Sequence, residues 1–204
     1  MQGKFITLEG IEGSGKSTNL KVVKAIFDQN KIDYVITREP GGGPLGPHLR
    51  KLLLDKDQSI SPSVEMLLMM ADRKDHVDNL IKPNLDKGVW VISDRYLDST
   101  IAYQGGGRQL DINLITSLSA ALKLPSPDFT LLFDLPVDVA LQRAEERSEL
   151  DRFEREPKDF HSRIRDSYLE LASNNHRIRT VDSSKDIESV SMQVEKYLTD
   201  FFVR

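Results

Sequence analysis

The chain has 204 residues, 39% of them hydrophobic, which is enough for one substantial core, and its formal net charge of −4 argues against a general nucleic-acid binder. It contains no cysteine, so disulfides and thiolate metal sites are excluded. Met1-Gln2-Gly3-Lys4 leads straight into a strand-like run with no signal-peptide stretch, and no span is long enough to cross a bilayer; a cytoplasmic, single-domain protein over residues 1–204 is expected.

The first β-prone run, Phe5–Leu8, is followed by Gly10-Ile11-Glu12-Gly13-Ser14-Gly15-Lys16-Ser17 and then Thr18, which matches the G-x-x-x-x-G-K-[ST] phosphate-binding loop. Its glycines let backbone N–H groups aim at phosphate oxygens, Lys16 neutralises charge, and Ser17 offers a hydroxyl to Mg²⁺. The helix that opens near Lys16 adds its dipole. The ligand class is therefore a nucleoside polyphosphate. Leu20, Val23, Lys24 and Phe27 give that helix an inner face, and Asn30 ends it.

A second strand, Tyr34–Thr37, runs into Thr37-Arg38-Glu39-Pro40-Gly41-Gly42-Gly43, a guanidinium followed by permissive backbone that can close over an anion. Ser61-Pro62 opens another helix. On it Met69 and Arg73 lie four apart and share a face, with Met66 and His76 on the same stripe; an arginine beside apolar surface suits a base pocket, while Met66 reads as core. The third strand, Val89–Ser93, ends at Asp94-Arg95-Tyr96. Asp94 can organise Mg²⁺ through its waters and Arg95 can grip an acceptor phosphate, the plain alternative being a surface ion pair.

Thr100, Tyr103 and Gln104 follow at helical spacing, and Gly105-Gly106-Gly107 with Arg108 end that helix. Both glycine clusters, 41–43 and 105–107, are assigned to strand-end loops. Asp111, Pro136 and Pro157 mark further helix starts, and Phe129–Phe133 and Ile178–Val181 supply the last strands. Between them Arg143, Arg147, Arg152, Arg155, Arg163 and Arg165 crowd one stretch with many carboxylates, a pattern that by itself reads as a solvated helical face. Ile187, Val190, Val194, Tyr197, Leu198 and Phe201 form a core stripe on the final helix. Short strands alternating with helices predict an α/β fold: a P-loop NTPase-type, doubly wound, parallel five-stranded sheet flanked by helices, with ligands beyond the carboxyl ends of the strands.

Taken in order, the phosphate loop, Thr37-Arg38-Glu39-Pro40-Gly41-Gly42, Ala71-Asp72-Arg73, Asp94-Arg95-Tyr96 with Ser99-Thr100 and Ala102-Tyr103-Gln104-Gly105, and Arg147-Ser148-Glu149-Leu150-Asp151-Arg152-Phe153-Glu154 make the chain similar to bacterial thymidylate kinases over essentially its whole length. The resemblance implies transfer of the γ-phosphoryl group of ATP to dTMP with Mg²⁺, giving dTDP for dTTP synthesis, by a homodimer. It implies that Arg95 and Arg38 hold the dTMP phosphate, Arg73 hydrogen-bonds thymine, Tyr103 lies against the deoxyribose and disfavours a 2′-hydroxyl, and Glu12 reaches the 3′-hydroxyl. Met69, Ser99, Thr100 and Gln104 complete that dTMP site. ATP falls to residues 10–18 and Arg143, and Mg²⁺ to Ser17 and Asp94.

Ile11, Glu12, Gly13 and Ser14 in the loop carry no cation, yet phosphoryl transfer needs positive charge at the transition state. The resemblance makes residues of about 143–156 a mobile lid that supplies it, so Arg147 and Arg152 join Lys16 and Arg95 as catalytic candidates. Three positions depart from the family pattern: Met69 where a phenylalanine commonly stacks on thymine, Gly43 for threonine, and Pro47 for glutamate. Met69 keeps another monophosphate acceptor, such as dUMP, in play. Asn30-Lys31-Ile32-Asp33 matches the guanine-reading N-K-x-D pattern of GTP switches, but it sits too soon after the phosphate loop and no D-x-x-G element accompanies it.

Overall fold

The computed structural model describes residues 3–147 and 150–203, and of Arg147 the backbone alone. Strands β1 (Phe5–Glu9), β2 (Tyr34–Arg38), β3 (Trp90–Asp94), β4 (Phe129–Asp134) and β5 (Ile178–Asp182) form one parallel sheet in the order β2-β3-β1-β4-β5. The expected α/β architecture with five parallel strands is therefore present. Every strand runs one residue beyond its apolar run, onto Glu9, Arg38, Asp94, Asp134 or Asp182. The ladder thus carries a charged residue to the carboxyl edge of each strand.

Period-two alternation decides what each face meets. Ile6, Leu8, Leu131 and Phe133 join a core cluster with Val23 and Phe27 of α1 (Lys16–Gln29) and Val194 and Leu198 of α9 (Ile187–Phe202). Burial of each such side chain stabilises by about 1.5–3 kcal/mol. The opposite face carries Phe5 and the buried polar residues Thr7 and Glu9, with Thr7 Oγ1 2.7 Å from Thr130 Oγ1. On that side lie α3 (Pro62–His76), α5 (Leu97–Thr100) and α8 (Lys158–Asn174), together with α2 (Gly46–Leu54), α4 (Lys82–Asp86), α6 (Ile112–Ala121) and α7 (Val137–Arg147) as connectors. Among the described residues no helix is long and apolar enough to cross a membrane.

Helix starts follow the expected chemistry. Ser61 stands at the N-cap position of α3 before Pro62 without a side-chain capping bond, Asp111 accepts from the Asn113 N–H at the start of α6, and Pro157 precedes α8. Two positions assigned to inner faces differ. Lys24 is exposed and Ile26 is buried instead, since an ammonium is not taken out of water when an apolar neighbour can fill the place. Ile187 is 72% exposed, because it begins α9 at the carboxyl edge of the sheet, where the core ends.

Gly105-Gly106-Gly107 is not a strand-end loop. It lies in a π-helical segment, Ile101–Gly107, packed against α8. A Cβ at Gly106 would stand 2.7 Å from Ser167 Cβ and 3.0 Å from the Arg163 carbonyl oxygen, so these glycines allow two helical segments to approach closely. Asn30-Lys31-Ile32-Asp33 turns at the amino edge of β2, the end of the sheet away from the phosphate loop.

Gly106→Ala should press on α8 and cost about 1–3 kcal/mol. A chain of this size would then lose about 2–4 °C of Tm per kcal/mol. Thermal unfolding followed by circular dichroism measures it, and an unchanged Tm would show that the approach is not tight.

Candidate active site

The carboxyl edge of the sheet opens into a cleft of about 650 Å³. One wall is the phosphate loop between β1 and α1. Gly13 takes φ 70° with its Cα so close to α7 that a Cβ would sit 2.1 Å from the Ala140 carbonyl, which only glycine satisfies. Ile11 turns into the core beneath the loop, at 3% exposure, and contributes backbone only. Lys16 is buried, with Nζ donating to the Gly10 carbonyl at 2.8 Å, the Ile11 carbonyl at 3.0 Å and Ser14 Oγ at 3.3 Å. Burial, reinforced by the Arg95 charge, brings its pKa down to about 8.

The facing wall comes from the end of β3. Arg95 adopts φ 72°, a left-handed conformation costly for a side chain larger than glycine. Three hydrogen bonds hold the turn: Arg95 N–H to the Leu8 carbonyl at 2.9 Å, Tyr96 N–H to Glu9 Oε1 at 2.8 Å, and Ser93 Oγ to the Arg95 carbonyl at 2.8 Å. The turn aims the guanidinium across the cleft. Nη1 donates to the Gly10 carbonyl at 2.9 Å, Nη2 to Glu12 Oε1 at 2.8 Å, and the group lies 4.9 Å over the Tyr103 ring. Tyr103 donates its hydroxyl to the same Glu12 oxygen at 2.6 Å. Burial is the largest influence on Glu12 and pushes its carboxyl up, but Arg95, Lys16, the Tyr103 hydroxyl and its own backbone together hold it below the usual range.

Glu9 anchors this wall from below. Its carboxylate accepts from Tyr96 N–H, from Ser99 Oγ at 2.6 Å and from the Tyr168 hydroxyl at 2.9 Å. Burial, with Asp98 nearby, pushes its pKa up to about 7 despite those bonds.

The third wall is α3 with the loop after β2. Arg73 is 2% exposed and spans the wall: Nε donates to Glu39 at 2.7 Å, Nη1 to Thr100 Oγ1 at 2.8 Å and Nη2 to the Tyr96 carbonyl at 2.9 Å. Asp72 receives the Gly41 N–H on both oxygens, and His76 bridges Thr37 and Glu39. Gly43 fits here because a Cβ would meet Asp75 Oδ2 at 2.2 Å, and exposed Pro47 sits in the first turn of α2, where its missing N–H costs nothing. Met66 is core, as expected; Met69 is half-buried and faces the cleft.

Of the expected site residues, Glu12 to Thr18, Arg38, Met69, Arg73, Asp94, Arg95, Ser99, Thr100, Tyr103, Gln104 and Arg143 all line this one cleft. Gln104 Nε2 is engaged by Glu65 at 2.8 Å. Arg143 donates to the Ser183 carbonyl at 3.1 Å. The Arg147 side chain, with Ser148 and Glu149, lies outside the described residues. Arg152 is not among the residues that line the cleft. Its Nη1 is held by buried Glu65 at 2.6 Å, its Nε by the Leu53 carbonyl at 2.9 Å, and its guanidinium covers Phe153 at 4.4 Å. A fully buried carboxylate outcompetes an open cleft for that charge.

Sequence reasoning missed Arg50, Ser183, Lys185 and Ile187, which also line the cleft. Arg50 donates to the Pro40 carbonyl at 2.8 Å, and burial and nearby Arg38 lower its pKa. Ser183 and Lys185 directly follow β5, so the strand-end rule applied to the fifth strand would have found them.

Comparison with known proteins places this geometry. The thymidylate kinase family model matches residues 8–194. The chain belongs to the thymidylate kinase family. It is 49% identical to the thymidylate kinase of Carboxydothermus hydrogenoformans over 97% of this chain and 98% of that one. It is 44% identical to that of Nitrosomonas europaea over 98% and 94%, and 42% identical to that of Neisseria meningitidis serogroup B over 99% of both. The shared region includes the phosphate loop, the Arg95 turn and the α3 wall.

Glu9 yields a stability test. Its folded pKa of about 7 exceeds the ordinary 4.5, so the native state binds the extra proton and this group erodes stability as pH rises across that window. Glu9→Gln removes the slope, and the variant should gain on the parent from about pH 5 to pH 7. Urea unfolding at several pH values measures the difference, and parallel profiles would remove Glu9 from that role.

Proposed function

We propose that the chain transfers the γ-phosphoryl group of ATP to dTMP, producing dTDP and ADP on the route to dTTP. The observation that carries this reading is the single cleft in which the phosphate loop and the Arg95 turn face each other beside a nucleoside-sized wall of Met69, Arg73 and Tyr103. In the reaction an acceptor phosphate oxygen bonds to the γ-phosphorus, and the bond to the β–γ bridging oxygen breaks, its electron pair leaving with ADP. The protein's part is positioning and charge.

In this reading residues 10–18 and Arg143 hold ATP, and Arg95 and Arg38 grip the dTMP phosphate. Met69 covers thymine with a polarizable thioether and Arg73 reads its edge. Tyr103 fills the space at the sugar, with Ser99, Thr100 and Gln104 behind it, and Glu12 meets the 3′-hydroxyl. Lys16 and Arg95 supply charge side by side, sharing the Gly10 carbonyl. Residues of about 143–156 act as a lid within a single domain, Arg147 being the lid arginine nearest the end of α7 and Arg152 fastening the segment to Glu65.

Mg²⁺ suits the donor set. Ser17 lines the cleft, and Asp94 Oδ1 is buried there without a hydrogen-bond partner; no cluster of three or more His, Cys, Asp or Glu able to hold a metal occurs among the described residues, which fits an ion bound by one or two protein oxygens with phosphates and water. When bound, it neutralises charge on the transferring phosphates. The protein is read as a cytoplasmic homodimer, with exposed Val64 and Leu67 on α3 and Leu114 on α6 as apolar surface for a second copy.

A coupled assay with ATP and Mg²⁺ over a panel of monophosphates tests the reading. dTMP should give the highest kcat/KM, and a preference for dUMP would favour the second reading that Met69 invites. Arg95→Ala should lower kcat by about 10²-fold or more with the fold retained by circular dichroism. Near-normal turnover would take Arg95 out of the mechanism.

A further inference from the structure

Beside the cleft, Glu12 Oε2 and both ring nitrogens of His161 are buried without a well-aligned hydrogen bond, the His161 ring having only a loose contact with the Glu156 backbone. His161 is 0% exposed in the first turns of α8, its ring edge-on to Phe160 at 5.5 Å. Its Nδ1 lies 3.9 Å from Glu12 Oε2. Unpartnered buried polar groups are costly and rare in native structures. Here each is the other's neighbour, and one bridging water or a small shift of α8 satisfies both. Burial lowers the pKa of His161 against the pull of Glu12, of the Glu156 backbone and of the Glu156 and Asp151 charges.

The other half of Glu12 is already fixed, since Oε1 receives Arg95 and Tyr103. What remains free is rotation of the carboxylate about that end. Seven residues after His161, and so on the same face of α8, Tyr168 donates to Glu9 and contacts Arg95 Nη1 at 3.3 Å and Ser99 Oγ at 2.8 Å. One helix face therefore braces both the phosphate-gripping arginine and the acidic residue of the loop.

We propose that His161 is a positioning residue for Glu12: its ring N–H, directly or through one water, holds Oε2 and sets the carboxylate plane in which Glu12 meets the acceptor's sugar hydroxyl. This rests on the reading that Glu12 contacts the 3′-hydroxyl of dTMP. Selectivity for that hydroxyl is then built partly from a residue that never touches substrate.

The test is steady-state kinetics of the full chain with dTMP and with 3′-deoxythymidine monophosphate, which lacks the hydroxyl. His161→Phe should raise KM for dTMP about tenfold with kcat changed less than about threefold, and should move KM for the 3′-deoxy substrate less than about twofold. His161→Gln, which keeps an N–H, should restore most of the loss. His161→Met, apolar but slimmer, serves in the same comparison if the phenylalanine variant does not fold. Equal losses on both substrates, or none on either, would overturn the proposal. Glu12→Gln separates the layers. If it erases the preference for the 3′-hydroxyl while the His161 variants leave it intact, only the role of His161 fails; if it too keeps the preference, the sugar contact of Glu12 fails and the proposal with it.

Discussion

The buried carboxylate of Glu9 is the constraint on which the site depends. It stands at the last position of the central strand, out of water, and collects the Tyr96 N–H, the Ser99 hydroxyl and the Tyr168 hydroxyl. Those bonds offset the cost of a left-handed arginine at position 95. Because Arg95 is held in that conformation, its guanidinium reaches across to the Gly10 carbonyl, the same oxygen that receives Lys16. The two cations, side by side at the cleft, are thus referenced to one backbone atom.

The fold was legible because its signals are local. All five strands announced themselves as apolar runs, and each stopped one residue short in the reading because the final ladder position is charged. That discrepancy marks where core chemistry gives way to ligand chemistry. Helix starts were equally plain at Asp111, which caps α6, and at Ser61-Pro62, which opens α3. The glycines at 105–107 misled, since glycine serves turns and close packing alike, and only the approach of α8 distinguishes them.

The site was legible where a motif fixes both residue and spacing, as in the phosphate loop, Arg38, Arg73 and Asp94-Arg95. It was illegible where partners are distant in sequence. Nothing local announces that Arg152 will be drawn to Glu65, 87 positions earlier, or that Arg73 will spread its guanidinium over Glu39, Thr100 and Tyr96. His161 carried no sequence signal at all. A lone histidine on a helix gains meaning only from the carboxylate it faces.

Glu65 ties α3 to the arginine-rich segment at 150–156. One carboxylate, fully out of water, receives Gln104 and Arg108 from one stretch of chain and Arg152 from another. Sharing of this kind is non-additive: removing the acceptor takes a partner from all three donors at once, leaving Arg108 with Glu156 and Arg152 with the Leu53 carbonyl. Through Glu65 on α3, the segment that ends at Arg108 and the one that holds Arg152 are tied to a single buried carboxylate, so a change at one alters the free energy of holding the other.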